Sequence, residues 1–447
     1  METYGQALRR FRTERGLSLR ALAQLLPGDH SYLSQIERGV RRGSGTIAER
    51  CDEALGAGGE LIAAYDLCAA AQAVVSSDAF YGPPGPPGPR VGPNPMREGD
   101  PMRRRNLLSG VAGLAGLSIV GPAPGADAEV SPAPTAQLVA ELQQRLMRLH
   151  PNTATPTTVS AVRAMLTTTR SAFQASNYLK LATDFPHLID TVEATHAATN
   201  GDDSLALQAI RAEMYTAAAE TLIKVGELGL AWMTIDRAMS AAESSGDTLA
   251  QVEATRTLCI LNRKAEHYDT AVSIAVQAAD RLDHNDPVQL SMHGALLSTA
   301  GYTAAQSGDR ERSNELLDEA SAAASRLDGR DNLRHTAFSE TNVRLFRITA
   351  SWALGDSGTA IAHAKTVDIR DMKLPERRAR YWIDVARAFS QWGKLDQTYR
   401  ALLAAEREAA QEVHARPVVT HLIQNLLSAP THPSGLREFA ARNATQT

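Results

Sequence analysis

Cysteine is nearly absent from this sequence: Cys51, Cys68 and Cys259 are its only three, far apart and without a C-x-x-C pair. That scarcity argues against a disulfide scaffold or a thiolate zinc site and suits a reducing cytoplasm. Aromatic residues make up only 5%, β-branched runs are few, and no uninterrupted apolar stretch reaches the roughly 18–20 residues that span a bilayer. Catalytic motifs are missing too. There is no phosphate-binding loop, no G-x-S-x-G elbow, no H-E-x-x-H and no clustered Cys/His set. The expectation is a protein that is not an enzyme and uses no cofactor and no metal. A net charge of −4 leaves no bulk attraction for nucleic acid, so any such surface must be local.

What is present is alanine at helical spacing, which points to an all-α fold because alanine costs least in helix entropy. At 447 residues the chain exceeds one ordinary core, so two or more domains are expected. In the first of them, Leu8, Phe11, Leu19, Leu22, Leu25, Leu26, Leu33 and Ile36 recur at helical spacing. Breaks fall at Gly16 and at Pro27-Gly28. Ser18 stands where an N-cap belongs, and His30 and Ser31 open another short helix that Gly39 stops. Two short helices joined by a tight turn form a helix-turn-helix. Up to Arg50 there are nine arginines against five acids, a modest excess that fits a dimeric reader of specific sites.

The stretches "RRFRTERGLSLRALAQLL" and "HSYLSQIERG" resemble the XRE-type, phage-repressor-like DNA-binding domain, over roughly residues 4–63. The resemblance implies a five-helix fold whose second motif helix enters the major groove of double-stranded DNA. Carried over by position, His30, Ser31, Tyr32, Ser34 and Gln35 would touch base edges, with Gln35 suited to adenine. Ser18, Arg38, Arg41 and Arg42 would meet phosphates. Arg12 and Glu37 fall where that family places an interhelical ion pair. The Pro-Gly in "LLPGDHS" departs from the pattern and leaves the register of His30 open.

Residues 76–135 read as a linker. "YGPPGPPGPRVGPNP" has glycine at 82, 85 and 88 with prolines between, a semi-extended spacer rather than collagen. A second Pro/Ala/Gly tract runs from Gly121 to Thr135. Between them lies "MRRRNLLSGVAGLAGLSIVG", whose apolar part, residues 107–120, has the length of a signal-peptide core rather than of a spanning helix. "RRRNLL" resembles the twin-arginine export motif, but a DNA reader upstream speaks against export. A docking helix, a basic linker and a membrane-surface anchor remain as readings, the first preferred.

Residues 136–447 are alanine-rich, with apolar positions three and four apart. Gly226, Glu266, Gly308, Gly355 and Gly393 mark recurring turns. Five residues later stand Ala231, Ala271, Ser313, Ala360 and Thr398; twelve later, Ala238, Ala278, Ala320, Val367 and Ala405; seven earlier, Ala219, Cys259, Gly301, Ile348 and Ala386. A weaker sixth unit turns at Asn177. Mostly small residues at fixed offsets allow close helix crossings, and the offsets resemble those of the tetratricopeptide repeat. The period of 38–47 exceeds that repeat's usual length, so longer helices or loops are expected. The resemblance implies an α-solenoid with a concave face lined by the first helix of each pair. Its inward positions here are Glu213, Thr216, Glu220, Glu253 and Arg256, continued by Arg263, Tyr302, Asn342, Arg380 and Arg387. Mixed charge with amide groups suits an extended peptide. The scattered histidines, such as His293 and His363, have no metal-ligand spacing, and Asp202-Asp203 reads as a helix N-cap.

The combination resembles regulators of Gram-positive bacteria, including actinobacterial ones. It implies a cytoplasmic homodimer that binds DNA and senses a peptide, small-molecule or protein effector. A non-enzymatic interaction scaffold and a membrane-tethered regulator are the rival expectations.

Overall fold

A computed structural model of the chain describes residues 2–26, 30–37, 45–67, 134–148 and 152–444. All regular structure among them is helical. The apolar segment 107–120 and nearly all of the expected linker lie outside the described residues.

In the N-terminal region, α1 (Tyr4–Glu14) starts with a capping box. The Gln6 amide donates to Thr3 Oγ1 at 3.3 Å and the Thr3 amide to Gln6 Oε1 at 2.9 Å. Helix α2 (Leu19–Leu25) is capped by Ser18, whose Oγ accepts from the Ala21 amide at 3.1 Å. Then come α3 (His30–Glu37), α4 (Gly45–Leu55) and α5 (residues 60–67). Leu8, Leu22, Leu33, Ile36, Ile47 and Leu61 close the core with exposures of 1% or less. The expected Arg12–Glu37 pair forms: Nε to Oε1 at 2.5 Å and Nη2 to Oε2 at 2.8 Å, in a half-buried setting. Arg12 also donates to the Leu17 carbonyl at 2.8 Å, so one guanidinium ties α1, the α1–α2 turn and α3 together.

After α6 (Pro134–Leu146) the chain forms helix pairs. These are α7 (Val159–Gln174) with α8 (Tyr178–Ala198), α9 (Asp202–Val225) with α10 (Leu228–Ser245), and α11 (Thr248–Lys264) with α12 (Tyr268–Ala279). They continue as α13 (Pro287–Ser307) with α14 (Arg310–Arg326), α15 (Glu340–Ala353) with α16 (Ser357–Lys365), and α17 (Pro375–Gln391) with α18 (Leu395–Glu408). Helices α19 (Ala410–Ala415), α20 (Pro417–Leu427) and α21 (Leu436–Ala444) end the described chain.

One turn recurs inside every pair. Gly226, Glu266, Gly308, Gly355 and Gly393 all have positive φ, from 64° to 93°. The residue after each donates its amide to the carbonyl five residues back, as Asp309 does to Ala304 at 2.9 Å and Lys394 to Phe389 at 2.9 Å. This is the Schellman closure, which needs a left-handed residue at that point. The sixth turn has the same geometry one residue earlier than expected. Ser176 takes the positive φ of 56°, and Asn177 donates to Ala172 at 3.0 Å and caps α8. Counted from Ser176, the small-residue sites hold Leu181 and Leu188, which is why this unit was faint in the sequence.

The small residues sit where helices cross. Ala231, Ala271, Ala360 and Ala386 are fully buried, and a Cβ on Gly301 of α13 would stand 2.8 Å from Leu317 of α14. Val367 differs, because α16 ends at Lys365 and leaves it in the following loop. The long period has two sources: long helices, 24 residues in α9 and 21 in α13, and the long connection between α14 and α15 in the step from Gly308 to Gly355. Asp202 and Asp203 are not caps. Gly201 occupies the cap position with φ 74°, and the two acids lie in the first turn of α9, where they face the positive end of the helix dipole.

Residues 327–339, between α14 and α15, form a strap. Its Phe338 is fully buried against Gly294 of α13, where an added Cβ would fall 2.0 Å from the ring. Gly294→Ala should therefore destabilise the protein by about 1–3 kcal/mol through overpacking, despite the gain of roughly 1 kcal/mol in helix propensity. Thermal unfolding checks this, and a midpoint at or above that of the parent contradicts the packing described.

Candidate functional site

The expected DNA-reading residues fall on the expected elements, as far as they are described. His30, Ser31, Tyr32, Ser34 and Gln35 belong to α3, whose Leu33 and Ile36 face the core. Ser18 is exposed at the N-terminus of α2. Arg38, Arg41 and Arg42, and the Pro27-Gly28 turn, lie outside the described residues.

In the repeat region, Glu220, Arg256, Arg263, Tyr302, Asn342, Arg380 and Arg387 line a single cavity of about 390 Å³. They come from α9, α11, α13, α15 and α17, the first helix of successive pairs. Spacings of three, four and seven residues, as in Arg256, Ile260 and Arg263, aim one stripe of each helix inward. The other three groove residues do not line it. Thr216 is fully buried within α9. Glu213 and Glu253 face the strap instead.

Arg334 at the tip of the strap lies 3.1 Å from Glu213 and 3.3 Å from Glu253. From beneath, Arg170 of α7 pairs with Glu253 and donates to the carbonyls of Glu213 and Arg334, both at 3.3 Å. Gln174 exchanges hydrogen bonds with Asn332, at 2.8 and 3.0 Å. The acidic end of the groove is thus neutralised by the chain itself. Although burial pushes Glu213 upward, Arg334, Arg170 and Arg163 hold its carboxyl below the usual range. Asp328, Asn332, Arg334, His335 and Ala337 all have positive φ, a strained run kept in place by these contacts. No repeat offset predicts the strap. Its signal was the length of the α14–α15 connection, long against the short turns within pairs.

The remaining cavity is cationic. It carries eight basic side chains against only three carboxylates, Glu220, Glu376 and Asp384. Arg256 pairs with Glu220, while Arg380 and Arg387 share Asp384 at 2.8 and 2.9 Å. Arg387 also lies 3.5 Å from the centre of the Trp352 ring. Arg263 lies 4.6 Å from the centre of the Tyr302 ring and donates to Thr303 at 3.4 Å. Burial, with Arg380 and Arg256 nearby, pushes Arg263 down to about 10. Although burial pushes the Tyr302 hydroxyl upward, Arg387 and Arg263 draw it below its ordinary value. The Asn342 amide is 6% exposed and its Oδ1 has no hydrogen-bond partner; Arg256 Nε is likewise buried and unpaired. Asn342 and Arg377 also line a second cavity of about 340 Å³ beside the strap.

One end of the cavity is closed by residues that sequence reasoning did not single out. Glu412 of α19 is completely buried and accepts from Ser176 at 2.9 Å and from Tyr178 at 3.1 Å. It also pairs with Arg416, and with Lys224 of α9 at 3.3 Å. Glu376 receives Lys224 at 3.0 Å, Arg377 at 3.0 Å and Arg416 at 3.3 Å. Burial raises both carboxyls, yet the cations around them hold both below the usual range. Among the described residues no group of His, Cys, Asp or Glu forms a metal site, and no helix is long and apolar enough to cross a membrane.

Comparison with known proteins adds two likenesses. Residues 3–65 match the family model described as a helix-turn-helix domain. The crystal structure of a Rap protein complexed with competence and sporulation factor is similar over 64% of this chain and 92% of its own, at 12% identity and a TM-score of 0.39. No curated protein shows a significant match.

The closing network gives the fold a pH dependence of definite sign. Glu376 and Glu412 are held below their unfolded value of about 4.3. Their stabilisation is complete above that value and is lost as pH falls through the folded values. Unfolding midpoints should drop steeply below about pH 4. Glu412→Gln should lose about 3–5 kcal/mol at pH 7 by leaving buried cations unpaired and show a shallower acid limb. Equal acid limbs in parent and variant contradict the assignment.

Proposed function

We propose that this chain is a non-enzymatic, cytoplasmic transcriptional regulator of the XRE type found among actinobacteria. In this reading it binds double-stranded DNA as a homodimer and takes an effector into its repeat cavity. The observation that carries the proposal is the pairing, in one chain, of a helix-turn-helix match over residues 3–65 with a cationic cavity, two of whose lining residues, Arg256 and Asn342, keep a buried polar atom unpaired. Buried polar groups left without partners are costly, and a cavity where several converge is the default place for a ligand.

On the DNA side, α3 would enter the major groove, with Gln35 and its neighbours reading bases. Ser18, Arg38, Arg41 and Arg42 would contact phosphates. On the sensing side, effector binding would shift the population of repeat-domain states and through them the spacing of two DNA-binding heads. Nothing in this mechanism requires bond chemistry.

Mobility-shift titrations on DNA from upstream of the coding region test the first half. Gln35→Ala should weaken binding to the specific site and relax its sequence preference. Arg41→Ala should weaken all DNA and reduce the salt slope by about one. Parent-like binding by both variants contradicts the assignment of α3.

A further inference from the structure

The cavity's surplus of positive charge is not spread evenly. Around Glu412 and Glu376, Lys224 and Arg416 have buried carboxylates on more than one side. Across the middle of the cavity, α11 and α17 direct Arg256, Arg263, Arg377, Arg380 and Arg387 toward one another. Only Glu220, Glu376 and Asp384 answer them. Arg263 is the extreme case. It is half-buried, it has no carboxylate within ion-pair distance among the described residues, and its contacts are the Tyr302 ring and one hydroxyl. Neighbouring cations work against its charge rather than for it. A charge taken from water without a counter-charge is costly. At functional sites such costs are recovered when a ligand binds.

Resting on the reading of this cavity as the effector site, we propose that its ligand is a compact oxyanion-bearing molecule, a carboxylate or a phosphate ester. Its charged group is received by Arg263 and Arg256 from one side and Arg387 from the other. Arginine suits this task, since its planar fork meets carboxylate and phosphate oxygens in pairs. Tyr302 fixes the Arg263 guanidinium by its ring, and Trp352 fixes that of Arg387. Both cations are thus held in place before the anion arrives, which lowers the entropy cost of binding. Asn342 lines the same space. A volume near 390 Å³ fits a metabolite-sized body or a short peptide end. Ile223, Ile260, Phe346 and Ile383 supply it with apolar walls.

The test is titration calorimetry on the full-length chain at constant ionic strength, with inorganic phosphate, malonate and choline as probes. Saturable binding of phosphate or malonate, with choline inert, is the expected result. Preference for phosphate marks a phosphorylated ligand, and preference for malonate a carboxylate. Arg263→Gln and Arg256→Gln should each weaken binding by about ten-fold or more, the loss of a charge-assisted hydrogen bond. Arg263→Lys should retain part of it. Because Arg263 has no carboxylate to abandon, Arg263→Gln should keep or raise the unfolding midpoint of the unliganded protein. The inference is overturned if neither anion saturates, if choline binds as well, or if Arg263→Gln binds like the parent. It is overturned equally if Arg263→Gln loses several degrees of stability along with binding, which marks a structural role. Mobility shifts on the same samples separate the two levels of the argument. Absence of DNA binding ends the regulator reading while calorimetry still scores the anion. Intact DNA binding with no anion binding ends this inference alone.

Discussion

Glu412 has no contact with solvent, yet it is a charged group holding a hydroxyl, a phenol, a lysine and an arginine at once. Ser176 and Tyr178, at the α7–α8 junction, and Lys224 of α9 stand 236, 234 and 188 residues away in the chain, while Arg416, at α20's leading edge, stands four away. A stack of helix pairs needs only neighbour contacts to be stable, and such a stack would leave an open groove. The Glu412 network joins an early turn to a late helix, and that joining closes one end of the groove. Pro417 pressing on Gly226, where a Cβ would stand 2.9 Å away, reinforces the contact with close packing. Buried ion networks seldom add much stability over apolar packing. The value of this one lies in the geometry it imposes on the inward stripes of α9, α11, α13, α15 and α17.

The charges of the groove divide into two sets. Glu213 and Glu253 are matched by Arg163, Arg170 and Arg334, the last carried in by the strained strap. Across the rest of the cavity the arginines outnumber their partners. Residue types at the inward positions suggested a surface of balanced charge for an extended peptide. The structure divides that surface into an acidic part that the chain fills for itself and a cationic part that it leaves open. The open part favours a smaller, negatively charged occupant.

What could be read from the sequence follows the range of the forces involved. The all-helical class, the Ser18 cap, the Arg12–Glu37 pair and five repeat turns were legible, because each depends on residues close in sequence or on a short, well-defined motif. The sixth turn was displaced by one residue because Ser176 stands where the others mostly have glycine, and leucines stand where the others have mostly small residues. Seven of ten inward residues share one cavity because helical periodicity alone places them. The strap showed in the sequence only as a long connection, and neither its docking nor the Glu412 closure was visible. Their contacts, such as Gln174 with Asn332 and Ser176 with Glu412, join residues 158 and 236 positions apart, and no local pattern encodes such a pairing.

The central claim is that an arginine-lined cavity, closed at one end by the Glu412 network, waits for an oxyanion. Crystals of the full-length protein soaked in tungstate, followed by anomalous diffraction, examine it most directly. The strongest interior peak should lie within hydrogen-bonding distance of Arg263 and Arg387, beside the Tyr302 ring. Tungstate found only on surface lysines and arginines, with the cavity empty, would contradict it.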